Sequence, residues 1–224
     1  MLLPRIERSD LPESMTWEEL QRLPDELAEQ IELWNGRVVW VGREPGDWRV
    51  FAGRFTNSLE RCARMSMSHG SERGWRVNSE TKVFLGRTGK SDFLTPDFLV
   101  HRCLESPSQD VRGSDVLLVG EVLSPAITQT DIEAKKIRYA SAGIPWYWEV
   151  TLAREISAIA VVRAYGLDIG HARLPNGAQP LHSANYIVAA EWTHENSDGL
   201  EFSRPFAIVI PWTELQLDSF GETR

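Results

Sequence analysis

Eight consecutive residues, Val116-Leu117-Leu118-Val119-Gly120-Glu121-Val122-Leu123, set the tightest limit on what this chain can fold into. A nearly unbroken apolar run of this length is the pattern of a strand covered on both faces, which needs a sheet with a layer on either side. Glu121 interrupts it. A carboxylate on a covered strand is costly unless it is paired, protonated or bound to a cation.

The segments around this run mix helix and strand signals. Thr16-Trp17-Glu18-Glu19 fits a capping box and opens a short helix through Leu23, stopped by Pro24. Asn35-Gly36 between Ile31–Trp34 and Arg37–Val41 reads as a hairpin turn, with Ile31 and Leu33 on one face and Glu32 and Trp34 on the other. Phe51, Phe55, Leu59 and Cys62 form one stripe of a helix from about Trp48 to Ser66. Strands are expected from Trp75 to Leu85 and from Phe93 to His101, with turn material at Gly86–Ser91 between them. Ser124-Pro125 ends the apolar strand. Thr130-Asp131-Ile132-Glu133 reads as a second capping box, opening a helix to about Ala142 that Gly143 caps and Pro145 terminates. Trp146–Val150 returns as a strand, and further β runs lie near Ile156–Ala164, Tyr186–Trp192 and Phe206–Ile210. The sum is an α/β fold around one mixed central β-sheet flanked by helices, with an N-terminal helix and β-hairpin. At 224 residues, a single domain over 11–224 preceded by a loose segment at 1–10 accounts for the chain. The stretch from about 165 to 205 carries no chemical motif.

Composition narrows the function. With 24 basic against 32 acidic residues, the formal charge of -8 argues against a protein living mainly by phosphate contacts, but not against an enzyme that gathers carboxylates around a metal. No run of about 18 apolar residues is present to span a membrane, and the first residues lack the apolar core of a secretory leader. The 2 cysteines, Cys62 and Cys103, cannot build a disulfide framework and read as small buried apolar residues of a cytoplasmic protein. Gly86…Gly89-Lys90-Ser91 is too short for a phosphate-binding loop. The 5 histidines (69, 101, 171, 182 and 194) have no zinc-ligand spacing, and no serine-hydrolase elbow occurs.

What remains is a set of charged residues in unusual places. Asp97 follows Pro96 in an expected strand, and Glu121 sits in the apolar run. Each alone reads as a salt-bridged strand acid; on neighbouring strands they would line an oxygen-rich cleft suited to Mg²⁺. Asp131, Lys135 and Tyr139 follow at i, i+4 and i+8, along one side of the next helix. Lys135, between Ile132 and Tyr139, either snorkels or points at something anionic.

Pro96-Asp97, Glu121-Val122-Leu123-Ser124-Pro125, Asp131-x-x-x-Lys135-x-x-x-Tyr139 and Gly143-Ile144-Pro145-x-Tyr147-Trp148 together resemble the Uma-two family of restriction-endonuclease-like proteins, within the PD-(D/E)XK nuclease superfamily. Thr16–Glu19 and Ile31-Glu32-Leu33-x-x-Gly36 are similar to its N-terminal helix and hairpin. The resemblance spans about residues 12 to 152. It implies a restriction-endonuclease-like core and metal-assisted hydrolysis of DNA by a homodimer. Asp97 then matches the metal-binding aspartate, and Glu121 the acid of the Glu-x-Lys element. Glu32 matches an additional N-terminal acid of the metal site, or else is an exposed strand glutamate. These three would hold Mg²⁺ or Mn²⁺. Leu123 stands where the superfamily's usual lysine belongs, and Lys135 supplies that lysine from the helix, with Lys136 as the fallback. Asp131 would position Lys135 through an ion pair, while Tyr139 packs. The 9 tryptophans read as core or dimer-interface packing. Arg49, Arg54, Arg61 and Arg64, with Arg73 and Arg76, either touch phosphates or form a solvated face. The departure at Leu123 and the acidic charge leave a rival from another class: a catalytically inactive nuclease-fold protein that binds nucleic acid or protein.

Overall fold

Closing a two-residue hairpin requires two residues that tolerate positive φ. In the computed structural model of the protein, which describes residues 11–41, 47–68, 74–86, 88–106, 108–123, 128–153, 158–169 and 184–217, Asn35 and Gly36 adopt φ of 53° and 82°. They join β1 (Ile31–Trp34) to β2 (Arg37–Trp40), with Glu32 opposite Val39. Upstream, Thr16 and Glu19 form the expected capping box on α1 (Trp17–Leu20). That helix lasts one turn and does not reach Leu23, and Pro24 caps a second short helix, α2 (Asp25–Ala28). A proline suits a helix start because its missing N–H would have no intrahelical partner there. The segment 1–10 and the Ser124-Pro125 strand stop lie outside the described residues.

Helix α3 (Asp47–Ser68) buries the Phe51, Phe55, Leu59 and Cys62 stripe. Beyond it, two expected strands each divide. Trp75–Leu85 is β3 (Trp75–Ser79) and β4 (Val83–Phe84), separated where Glu80 takes φ of 43°. Phe93–His101 is β5 (Phe93–Leu94) and β6 (Phe98–Arg102), separated at Thr95-Pro96-Asp97, where the proline has no N–H for a ladder. In both cases the chain crosses from one sheet to another and resumes extended, so the alternation of side chains survives the break. Asp97 therefore sits on a crossover and not inside a strand.

The remaining elements are β7 (Val111–Arg112), β8 (Val116–Leu123), α4 (Gln129–Ser141), β9 (Trp146–Leu152), β10 (Ile159–Asp168), β11 (Asn185–Trp192), β12 (Gly199–Phe202), β13 (Ile208–Pro211) and α5 (Trp212–Leu215). A six-stranded sheet runs in the order β11-β10-β9-β8-β6-β3, a five-stranded sheet in the order β2-β1-β5-β4-β7, and β12 pairs with β13. Strands β8 and β9 are parallel and joined through α4, while the other pairings of the larger sheet are antiparallel.

This arrangement covers β8 twice, as its apolar run requires. Leu118 and Val122 pack with α3, β13 and α5 on one face. Val119 packs on the other with Trp34, Val83, Leu94 and Tyr139, from the smaller sheet and α4. Gly120 is obligatory in between, because a Cβ there would lie 1.9 Å from the ring of Phe98, which is itself stacked on Phe55 at 4.9 Å. Each of the 9 tryptophans is buried or half-buried within the chain. Cys62 is buried as expected but Cys103 is exposed, beyond the end of β6 where the sheet no longer covers the chain.

The cap of α4 is shifted from the expected one. Thr128, not Thr130, is the N-cap, and Asp131 is its capping partner in place of Glu133. The Asp131 carboxylate accepts the Thr128 Oγ1–H at 2.6 Å, which binds it to the helix start and away from the expected pairing with Lys135. Gly143, with φ of 78°, closes the other end.

Candidate active site

The inward face of α4 is not apolar. Lys135, Lys136 and Arg138 are all buried there beside Ile132, Tyr139 and Ala140. A buried cation persists only when paired, and each has its own acid. Lys135 meets Glu121 and Glu32, Lys136 meets Glu149 and Glu133, and Arg138 meets Asp92.

Glu121 points from β8 toward α4. Its Oε2 accepts from Lys135 Nζ at 3.0 Å and its Oε1 from the Tyr139 hydroxyl at 2.7 Å. Glu32 arrives from the other sheet. The hairpin register turns it away from the Ile31 and Leu33 cluster to the same side as Trp34, and it is fully buried where an exposed glutamate was the alternative. Its Oε2 accepts the Trp34 indole N–H at 2.9 Å, its Oε1 accepts the Thr95 amide at 2.8 Å, and Lys135 Nζ lies 3.5 Å from Oε1. Asp97 comes from the crossover itself. The β6–β8 ladder ends at Phe98 opposite Gly120, and beyond it the Asp97 Oδ2 takes the Val122 N–H at 2.6 Å.

The electrostatics follow from this enclosure. Burial, reinforced by the charge of Glu121, pushes the Asp97 carboxyl up to about 8, with Lys135 and the Val122 N–H opposing. The residue keeps some exposure overall, but its carboxyl group is enclosed. Burial also raises Glu121, against the pull of Lys135. For Lys135, burial alone would favour the neutral amine, yet Glu121, Glu32 and Asp97 outweigh it and hold the ammonium well above its ordinary range.

Asp97 and Glu121 are thus two enclosed carboxyls, and the charge of Glu121 disfavours that of Asp97. An all-oxygen donor pair under such strain fits a hard divalent cation, which would relieve it. Among the described residues, no group of three or more His, Cys, Asp or Glu side chains is gathered closely enough to hold a metal. Glu32 stands across the Lys135 ammonium from Glu121.

Other candidate residues lie elsewhere. Lys136 is carried to the far side of Lys135, 2.7 Å from Glu149 and 4.3 Å from the centre of the Tyr165 ring. Leu123 ends β8 half-buried. Of the α3 arginines, Arg49 pairs with Glu80, Arg61 with Glu214 and Arg64 with Glu60. Arg73 lies outside the described residues. Of the histidines, His101 is buried with its Nδ1 donating to the Arg102 carbonyl, and His194 lies against Trp212; the other three lie outside the described residues. A surface cleft of about 670 Å³ between Trp17, Arg76 and His101 does not contain the acids.

Sequence reasoning missed two side-chain partners of these acids, the Tyr139 hydroxyl and the Trp34 indole, and the Arg138 guanidinium, paired with Asp92, that lies 5.0 Å over the Trp34 ring. The signals were present. Tyr139 is one turn beyond Lys135, and Trp34 shares a strand face with Glu32.

A family model described as "Putative restriction endonuclease", Uma2, matches residues 17–163, well over half of the chain. Among solved structures, the chain resembles a crystal structure described as "a putative nuclease belonging to DUF820" from Anabaena variabilis. The TM-score is 0.55 at 14% identity, covering 90% of this chain and 97% of that one; at that identity the likeness concerns the fold. No curated protein matches the chain.

Proposed function

The chain belongs to the Uma2 family of putative restriction endonucleases, and from that membership and the site's geometry we propose that it is a divalent-metal-dependent nuclease hydrolysing phosphodiester bonds of DNA. The observation that carries this reading is the convergence of acids from β1 and β8, with Asp97 from the crossover, around one buried ammonium.

Asp97 and Glu121 would hold Mg²⁺ or Mn²⁺, with Glu32 behind them across the Lys135 ammonium. When bound, such a cation supplies a water of lowered pKa and a positive clamp on the phosphodiester. The rest falls to the chain. Val122 N–H orients Asp97, while Lys135 and Tyr139 fix Glu121 by both oxygens. Lys135, held as the ammonium by Glu121, Glu32 and Asp97, would orient the attacking water or offset charge growing on the phosphorane oxygens. The same reading has the enzyme act as a homodimer in the cytoplasm. No helix among the described residues is long and apolar enough to cross a membrane.

Calorimetric titration with Mn²⁺, run beside cleavage of plasmid DNA, tests the proposal. Stoichiometric metal uptake and cleavage are expected, both lost in Asp97→Ala; full cleavage by that variant would remove the proposal. The contact of Lys135 with both Glu32 and Glu121 favours a second reading, a nuclease fold whose internal cation has replaced the metal and which binds nucleic acid or protein without cutting. DNA binding with no Mn²⁺ uptake selects it.

A further inference from the structure

Tyr139 is fully buried, its ring in tilted contact with Tyr147 at 6.0 Å. Packing alone would be served by a phenylalanine, because a buried hydroxyl is unfavourable unless bonded. Its hydroxyl is bonded to the acid itself, donating to Glu121 Oε1 at 2.7 Å. Lys135, one helical turn earlier, holds the other oxygen. The two grips come from one face of one helix, so they fix the rotation of the carboxyl group as well as its place.

We infer that Tyr139 is a positioning residue: its hydroxyl sets the plane in which Glu121 presents its lone pairs to a divalent cation shared with Asp97. This rests on the metal-dependent reading of the site. Groups that hydrogen-bond a metal-ligating side chain typically contribute 10–100-fold to metal affinity. Glu121 has such a partner in Tyr139, which adds no charge and deletes cleanly. Tyr165 provides the comparison, since its hydroxyl lies 3.5 Å from Glu149 on the neighbouring strand and touches none of the three acids among the described residues.

The test compares the full chain with Tyr139→Phe and Tyr165→Phe, by titration calorimetry with Mn²⁺, thermal melting and cleavage kinetics. Tyr139→Phe is expected to melt as a folded protein, to keep the Mn²⁺ stoichiometry, and to bind the ion roughly tenfold or more weakly. Its kcat at limiting Mn²⁺ falls while KM for DNA holds. Tyr165→Phe binds Mn²⁺ as the wild type does. Unchanged Mn²⁺ affinity in Tyr139→Phe, or an equal loss in Tyr165→Phe, overturns the inference and leaves the nuclease reading standing. A wild-type protein that takes up no Mn²⁺ overturns both. If the phenylalanine variant does not fold, Tyr139→Met removes the same hydroxyl, and its Mn²⁺ affinity decides in the same way.

Discussion

Glu121 and Glu149 stand directly opposite one another in the parallel β8–β9 pair, and two consecutive lysines of α4 divide them. Lys135 Nζ lies 3.0 Å from Glu121 and Lys136 Nζ 2.7 Å from Glu149. Successive helical residues point about 100° apart, so neighbouring lysines cannot readily serve one acid, but they can serve two strands about 4.8 Å apart. The helix is thereby keyed to the sheet by two parallel ion pairs, of which only the first faces Glu32 and Asp97.

Stability and activity should therefore separate between these lysines. Removing one partner of a buried pair costs about 3–5 kcal/mol, because the other charge is left without compensation. Lys135→Met and Lys136→Met are expected to lower unfolding free energy in urea by comparable amounts of that order. Cleavage of DNA disappears only in Lys135→Met. Loss of cleavage confined to Lys136→Met would transfer the catalytic assignment to the second pair.

The pH dependence of stability has a sign set by Asp97. In the folded protein its carboxyl holds a proton up to about pH 8, whereas an unfolded aspartate releases it near 3.9. Between those values the folded state binds the extra proton, so this group's contribution falls as pH rises from about 4 to about 8. Raised Glu121 acts in the same direction, and Lys135 adds no slope there because it is charged in both states. Asp97→Asn should melt above the metal-free wild type at pH 8.5 and converge with it toward pH 5. Wild-type affinity for Mn²⁺ should climb over the same interval, since binding must displace the proton. A difference in melting temperature between the two proteins that stays constant with pH would contradict this.

Much of the frame was readable from residue order because it rests on local chemistry. The Asn35-Gly36 turn, the stripe on α3 and the doubly covered β8 each follow from backbone sterics or side-chain period. The breaks at Glu80 and Pro96 were not, because the alternation that marks a strand continues in phase when the chain changes sheets. The α4 cap was misplaced for a similar reason: Thr128-x-x-Asp131 and Thr130-x-x-Glu133 overlap, and only the packing of the helix decides between them. At the site, Glu121 announced itself by the burial penalty of a carboxylate on a covered strand. Tyr139 was legible only in part: its place one turn beyond Lys135 marks the face it shares, but a phenol there reads as core until its hydroxyl has a partner.

Gly120 is a packing requirement with consequences for the site. A methyl group there would lie 1.9 Å from Phe98 Cζ, and that ring cannot retreat from Phe55 behind it. Overpacking of this kind typically costs about 1–3 kcal/mol. Gly120→Ala should lose at least that in urea unfolding and weaken Mn²⁺ binding, because Phe98 and Gly120 adjoin Asp97 and Glu121. Melting and metal affinity unchanged from wild type would show that the strands can separate there freely.

The position of Leu123 gives the most direct test of where the catalytic ammonium must come from. Leu123 is two residues beyond Glu121 on β8, so both side chains emerge on one face of the sheet, and it is only half-buried. In the superfamily arrangement that this chain resembles, the lysine stands at that place on the strand; here the ammonium reaches Glu121 from α4 instead. If the chemistry needs a positive charge beside Glu121 and is indifferent to which element delivers it, Leu123→Lys should restore part of the cleavage lost in Lys135→Met. Leu123→Lys alone should gain little, since like charges would then crowd one acid. The readout is the initial rate of plasmid cleavage at saturating Mn²⁺, with Leu123→Met in the same background as the control for bulk. Equal inactivity of Lys135→Met with and without Leu123→Lys would mean that the ammonium must also bridge to Glu32, a contact made here from α4 at 3.5 Å.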